Sequence, residues 1–298
     1  MEYRNLFIAN PAKLSVRQQQ LVIRQEQEFT VPLEDISSVL IESPRITITT
    51  AAISAMAEAG LTVFFCDARH LPNAIALPVN QYCRQRKLLL FQANMIKPLQ
   101  KQLWQDIVVR KILNQAACLR ILNRPGADEL AALAASVRSG DPDNREAVAA
   151  AVYFPALFGV GFSRDQDCLQ NAALNYGYAI IRGGIARNLV IHGLEPCLGL
   201  HHRSERNNFN LADDMIEPFR PLVDLFVASH FQGDGELSTT QKQNLFNLTS
   251  FLIRQSGRKY QVMTAIGRCC ASLAECVQSQ HRNLELPELI ALEQRSNE

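Results

Sequence analysis

No window of this chain reaches the ~18 consecutive apolar residues that a membrane span needs. The first ten residues, MEYRNLFIAN, lack a basic stretch followed by a sustained apolar one, so no secretory signal is expected and the expected location is the cytoplasm, away from any membrane. There is no GxxxxGK[ST] loop, which argues against nucleoside triphosphate use through a P-loop. There is no CxxC pair either. The eight cysteines, at 66, 83, 118, 168, 197, 269, 270 and 276, fall mostly inside apolar runs and read as buried thiols in a reducing compartment. Cys269, Cys270 and Cys276 cluster with only His281 nearby, a poor zinc pattern. Repeats and low-complexity tracts are missing, and so is any charge excess: 30 Lys plus Arg face 29 Asp plus Glu.

What is present is a chain of 298 residues, 47% apolar and 20% charged, long enough for about two domains with a buried core. Up to residue 78 the apolar runs are short and β-branched: Arg4 to Ala9, Lys13 to Val16, Leu21 to Gln25, Thr30 to Leu33, Val39 to Glu42 and Leu61 to Cys66. They read as strands. One helix, capped by Thr50 and stopped at Gly60, crosses over before the last of them. The stretch HLPNAIALPVNQ, with Pro72 and Pro78, suits neither element and marks a boundary. Beyond it the period becomes three and four, as in Ile96, Leu99, Leu103 and Ile107, and Pro98 starts or breaks a helix. The expected fold is α+β: a small β-rich N-terminal domain, 1–78, followed by a larger all-α C-terminal domain, 79–298. Residues after Pro287 read as a polar tail.

The near-neutral sum hides an asymmetry. Residues 81–124 carry nine basic side chains against the single acid Asp106, or +8, which leaves −7 for the remainder. A basic helical stretch can follow a nucleic-acid backbone and release its counterions, although a solvated helical face has the same composition. Arg84, Lys97 and Lys101 are the candidate phosphate contacts. Tyr82, Phe91 and Trp104 interleave with them at spacings that suit core better than base stacking.

Three places set ligand-type side chains into segments that could be purely structural. Glu146 follows Asp143 by three residues at a helix start and could close a capping box. His201 and His202 follow the turn GLEPCLGL. In LADDMIEPFRP, Asp214 and Glu217 lie three apart, with Asp213 beside them, as helix-start acids often do. Two carboxylates and an imidazole from three segments could instead hold a hard divalent cation that keeps positions for water and phosphate oxygens.

The runs SGDPDNREAVAAAVYFPALFG (139–159), NAALNYGYAIIRGGIARNLVIHGLEPCLGLHHRSERNNFNLADDMIEPFRPLVD (171–224) and KILNQ (111–115), with the opening IANPAKLS, closely resemble the CRISPR adaptation integrase of type II systems. This family is a metal-dependent DNA integrase and endonuclease that inserts spacers into CRISPR arrays. The resemblance implies that Glu146, His202 and Glu217 are catalytic metal ligands, with Asp214 behind them. His202 rather than His201 is the ligand because it stands three residues after Gly199. Mg²⁺ or Mn²⁺ is the implied cofactor. Arg203 and Arg220 adjoin these ligands and could hold the scissile phosphate. The implied partners are double-stranded DNA as prespacer and repeat, a second copy in a homodimer, and a small companion adaptation protein bridging two dimers. A non-catalytic DNA-binding scaffold and a stand-alone metal-dependent nuclease are the alternatives. Gly183-Gly184 departs from the bulkier residue the family ordinarily shows.

Overall fold

The computed structural model describes residues 4–77 and 85–294. Arg84, Tyr82 and the last four residues lie outside that range. The N-terminal part contains β1 (Arg4–Ile8), β2 (Lys13–Arg17), β3 (Gln20–Arg24), β4 (Glu28–Pro32), β5 (Ile36–Ile41), β6 (Thr47–Ile48), α1 (Thr50–Glu58), β7 (Thr62–Cys66) and β8 (Pro72–Ala76). Two four-stranded sheets form, ordered β1-β5-β7-β8 and β4-β3-β2-β6. In the first, β1, β5 and β7 run parallel and β8 is antiparallel at the edge. The PNAIA stretch, expected to be neither helix nor strand, is therefore that edge strand. Proline is tolerated there because Pro72 opens the strand, where a missing N–H costs no ladder bond.

Strand alternation makes the first sheet a shared wall. Val39 and Val63 point toward Leu14, Leu21 and Met56 of the N-terminal core, whereas their neighbours Leu40 and Phe64 point into the core of the helical part. Thr49, rather than the expected Thr50, caps α1, its side chain accepting from Ala52 N at 3.2 Å.

The helical part comprises α2 (Gln85–Ala93), α3 (Lys97–Ile121), α4 (Ala127–Ala135), α5 (Arg145–Phe158), α6 (Leu169–Ile191), α7 (Asn210–Ile216), α8 (Arg220–His230), α9 (Thr239–Asn247) and α10 (Val262–Ser279), with a hairpin of β9 (Leu252–Gln255) and β10 (Arg258–Gln261) before α10. The hairpin is a departure from the expected all-α arrangement. Pro98 lies at the start of α3, where its missing donor is one the helix leaves unpaired anyway. None of the described helices is long and apolar enough to cross a membrane.

Two further expectations change. The glycine pair has a packing role: a Cβ on Gly183 would stand 2.3 Å from Phe64 Cε1, and one on Gly184 would stand 3.0 Å from Met263 Sδ. The first lets α6 lie against the sheet and the second lets α10 lie against α6. The polar tail is docked: Leu289 is buried, Leu252 N donates to Glu293 O at 2.8 Å, and Arg254 and Glu288 exchange backbone hydrogen bonds. Cys118, Cys269, Cys270 and Cys276 are buried free thiols.

Candidate active site

Three segments are folded onto the long helix α3. The first is the loop before α5. Gly140, with φ +80°, donates its N–H to Lys101 O at 2.9 Å and leaves no room between the backbone and the Lys101 stem. The expected Asp143–Glu146 capping box does not form. Asp141 instead accepts from Arg145 N at 2.8 Å and Glu146 N at 3.0 Å, Asn144 caps the helix, and Asp143 pairs with Arg138. Glu146 is thereby free of capping, and its Oε1 accepts from Lys111 Nζ at 2.6 Å.

The second segment is the loop between α6 and α7, wrapped around the carboxylate of Asp214. Asp214 is fully buried and accepts from Leu200 N at 2.6 Å, His201 N at 3.0 Å and His202 N at 3.1 Å. The His202 Nδ1 lies 2.7 Å from Asp214 Oδ1. That hydrogen bond, opposed by burial and aided by the negative charge of Asp214 and Glu217, raises the His202 pKa. With Nδ1 committed to Asp214, Nε2 is the nitrogen left for a ligand. The buried Trp104 of α3 stacks on His201, ring centroids 4.3 Å apart, and meets His202 edge-on at 5.9 Å. Trp104 is core, as its spacing suggested.

The third segment is the turn Glu217–Phe219 between α7 and α8. Glu217 Oε1 accepts from Arg220 Nε at 2.8 Å, and Oε2 lies 2.5 Å from Lys111 Nζ. Burial by itself would raise the Glu217 carboxyl, but Lys111 and Arg220 overcome it and hold the pKa at about 2. The acidic run of the sequence thus splits three ways, since Asp213 pairs with Arg182 at 2.6 Å, Asp214 serves the His202 loop and Glu217 faces α3.

Behind Glu217, a cavity is lined by Lys111, Gln115, Arg164, Tyr178, Arg220 and Asp224 among others. Arg220 packs its guanidinium over Tyr178, 4.5 Å from the ring centre. Tyr178 and Tyr153 both donate hydroxyl hydrogen bonds to Asp224, whose carboxyl burial pushes up to about 6. A second cavity, beside His201, is lined by Lys97, Lys101 and Arg203 together with Gln100 and Trp104. Three of the five candidate phosphate contacts therefore meet at one place. Arg220 is committed to Glu217, and Arg84 lies outside the described residues.

Part of the +8 stretch is spent on ion pairs within the chain. Lys111 neutralises the two carboxylates, Arg110 pairs with Glu288 and Arg120 with Asp128. Lys111, Asn114 and Arg164 carried no assigned role in the sequence. A signal for Lys111 existed: it continues the buried Leu103–Ile107 stripe by one more helical turn, and a lysine on an apolar stripe needs an acidic partner. Asn114, on the same helix, donates to Pro218 O at 2.7 Å and Pro287 O at 3.0 Å and accepts from Leu289 N, tying the Glu217 turn to the docked tail.

Whether these residues suit a divalent cation rests on their chemistry and convergence. Glu146 and Glu217 already share one positive centre, the Lys111 ammonium, and their hard oxygens with one imidazole suit Mg²⁺ or Mn²⁺. Among the described residues, no three His, Cys, Asp or Glu side chains are gathered as a metal cluster.

The chain matches the family described as "CRISPR associated protein Cas1" over residues 6–161 and 162–289. It belongs to the Cas1 family. It is 46% identical over 99% of both chains to the CRISPR-associated endonuclease Cas1 of Neisseria meningitidis serogroup C (strain 8013). The membership makes it an enzyme of the DNA endonuclease and integrase class. A casposase bound to integration product superposes over 95% of this chain and 92% of that one with a TM-score of 0.76 at 19% identity, a likeness of fold. A Cas6-RT-Cas1–Cas2 complex is similar over 94% of this chain and 35% of its own, with a TM-score of 0.69 at 18% identity.

Proposed function

We propose that this Cas1-family chain is a divalent-metal-dependent integrase and endonuclease of CRISPR spacer acquisition. The reaction is a transesterification. The 3′-hydroxyl oxygen of a double-stranded prespacer bonds to a phosphorus at the repeat boundary, the bond from that phosphorus to its former 3′ oxygen breaks, and the proton of the attacking hydroxyl ends on the leaving oxygen. One phosphodiester replaces another, in keeping with the missing P-loop. With water in place of the hydroxyl, the same site hydrolyses DNA.

The observation that carries this reading is the convergence of Glu146 and Glu217 on a single cation position beside the His202 loop. Glu146, Glu217 and His202 Nε2 would hold Mg²⁺ or Mn²⁺. When bound, the ion supplies Lewis-acid stabilisation of charge on the phosphoryl oxygens and activation of the attacking oxygen. Asp214 fixes the His202 ring and its tautomer. Lys97, Lys101 and Arg203 receive the DNA backbone, and Arg220 neutralises Glu217 while facing the adjoining cavity. The N-terminal region, 1–78, carries dimerisation and the contact with a companion adaptation protein. Two solved neighbours, a casposase bound to integration product and a Cas6-RT-Cas1–Cas2 complex, support DNA and a companion as partners.

The test is strand transfer of a fluorescent duplex into a supercoiled repeat-containing plasmid with Mg²⁺ or Mn²⁺ present and the companion protein added. His202→Ala and Glu217→Ala are expected to lose the product while keeping duplex binding. Wild-type activity in either variant would overturn the ligand assignment.

A further inference from the structure

The KILNQ segment places an ammonium at the position the proposed site reserves for a metal. Lys111 Nζ lies 2.6 Å from Glu146 Oε1 and 2.5 Å from Glu217 Oε2, and its side chain is only 11% exposed. Two carboxylates this enclosed need a counter-ion. Arg220 supplies only part of it, because it binds the other oxygen of Glu217. An ammonium and a divalent ion that require the same two oxygens exclude each other, since both centres must sit in contact with them and repel at that distance.

A second observation shows where the ammonium can go. Gln115 stands one helical turn beyond Lys111 and is 2% exposed, yet among the described residues its amide oxygen has no hydrogen-bond partner. Buried acceptors are rarely left this way. Lys111, Gln115 and Glu217 all line the same cavity. Residues four apart share a helix face, and the four-carbon stem of lysine gives its ammonium the freedom to turn within that space.

We propose that Lys111 is the resident counter-ion of the site, occupying the cation position when no metal is bound and turning onto the unpartnered amide oxygen of Gln115 when metal enters. Loading is then an exchange of cations. The carboxylates are never left bare, and the apparent metal affinity is lowered by whatever free energy moving Lys111 requires. A site of this kind fills only at higher metal concentrations than the same carboxylates would without Lys111. The inference rests on the metal reading above.

Mn²⁺ binding to the full chain without DNA, followed by calorimetry and by the electron paramagnetic resonance signal of free Mn²⁺, tests it. Wild type, Lys111→Met, Gln115→Leu and the double variant are compared. Lys111→Met is expected to bind Mn²⁺ about tenfold or more tightly than wild type, a change of roughly 1.4 kcal/mol or more. Gln115→Leu is expected to bind it several-fold more weakly, and to have no effect in the Lys111→Met background. Simple loss of a positive charge would leave Gln115→Leu with the same effect in both backgrounds, and that result overturns the exchange. Unchanged or weaker binding by Lys111→Met overturns it as well. Should Lys111→Met not fold, Gln115→Leu decides alone, because an unchanged Mn²⁺ affinity there removes the receiving position. Failure of the metal reading looks different: Glu146→Gln and Glu217→Gln would then bind Mn²⁺ as wild type does.

Discussion

Asp214 grips His202 twice: its Oδ1 accepts the His202 backbone N–H at 3.1 Å and stands 2.7 Å from the ring Nδ1. The loop can close this tightly only because residue 199 has no side chain. A Cβ on Gly199 would stand 2.2 Å from His202 O and 2.9 Å from Asp214 Oδ2. The glycine three residues before the histidine is thus a steric requirement of the histidine's position.

Gly199→Ala should therefore damage catalysis through geometry. Misplacing a ligand's supporting shell typically costs about 10–100-fold in activity, and strand transfer by the variant is expected to fall in that range. Circular dichroism should still report a folded chain. Activity within twofold of wild type would mean that the loop relaxes without moving His202.

Gly183→Ala tests the junction of sheet and helices. The added methyl meets the Phe64 ring at 2.3 Å, and overpacking of this kind costs about 1–3 kcal/mol. Shortening the ring should relieve it, so Phe64→Leu with Gly183→Ala is expected to be more stable in urea than the two single effects added together. Strict additivity would place the strain elsewhere.

Binding of duplex DNA should weaken steeply with salt although the chain is nearly neutral. Lys97 and Lys101 line one cavity with Arg203. Replacing both lysines by alanine should lower the slope of log K against log salt by about two and weaken binding equally for all sequences. A slope unchanged in fluorescence anisotropy titrations would remove both residues from the phosphate path.

Asp224 gives a pH signature. Burial raises its carboxyl in the folded protein to about 6, above the ~3.9 of an unfolded chain. The folded state binds this proton more tightly, so the contribution is fully present below about pH 4 and is lost as pH rises through 6. Relative to Asp224→Asn, wild type should lose about 2–3 kcal/mol of unfolding free energy between pH 4 and pH 7, read by denaturant titration. Parallel curves would show that Tyr153 and Tyr178 compensate the carboxylate fully.

Local pattern was enough to read most elements of the fold. The strands before residue 67 other than the two-residue β6, the crossover helix and the α3 stripe depend on side-chain period and on caps within a few residues, which the chain carries in order. Glu146, His202 and Glu217 were legible as candidate ligands only through the resemblance carried by the motifs that contain them. The β8 edge strand and the docked tail were not, because Pro72 reads as a breaker until its edge position beside β7 is known, and the segment after Pro287 is held by Asn114, far away in sequence.

The sequence by itself determined the α+β order and the basic stretch, since these are properties of residue type and spacing. Only the tertiary structure decided what each charge faces. It sent Asp141 rather than Asp143 to cap α5, gave Asp213, Asp214 and Glu217 three different partners, and buried Lys111 between two carboxylates. Pairing energies depend on distance and on enclosure from water, and both are set where separate segments meet.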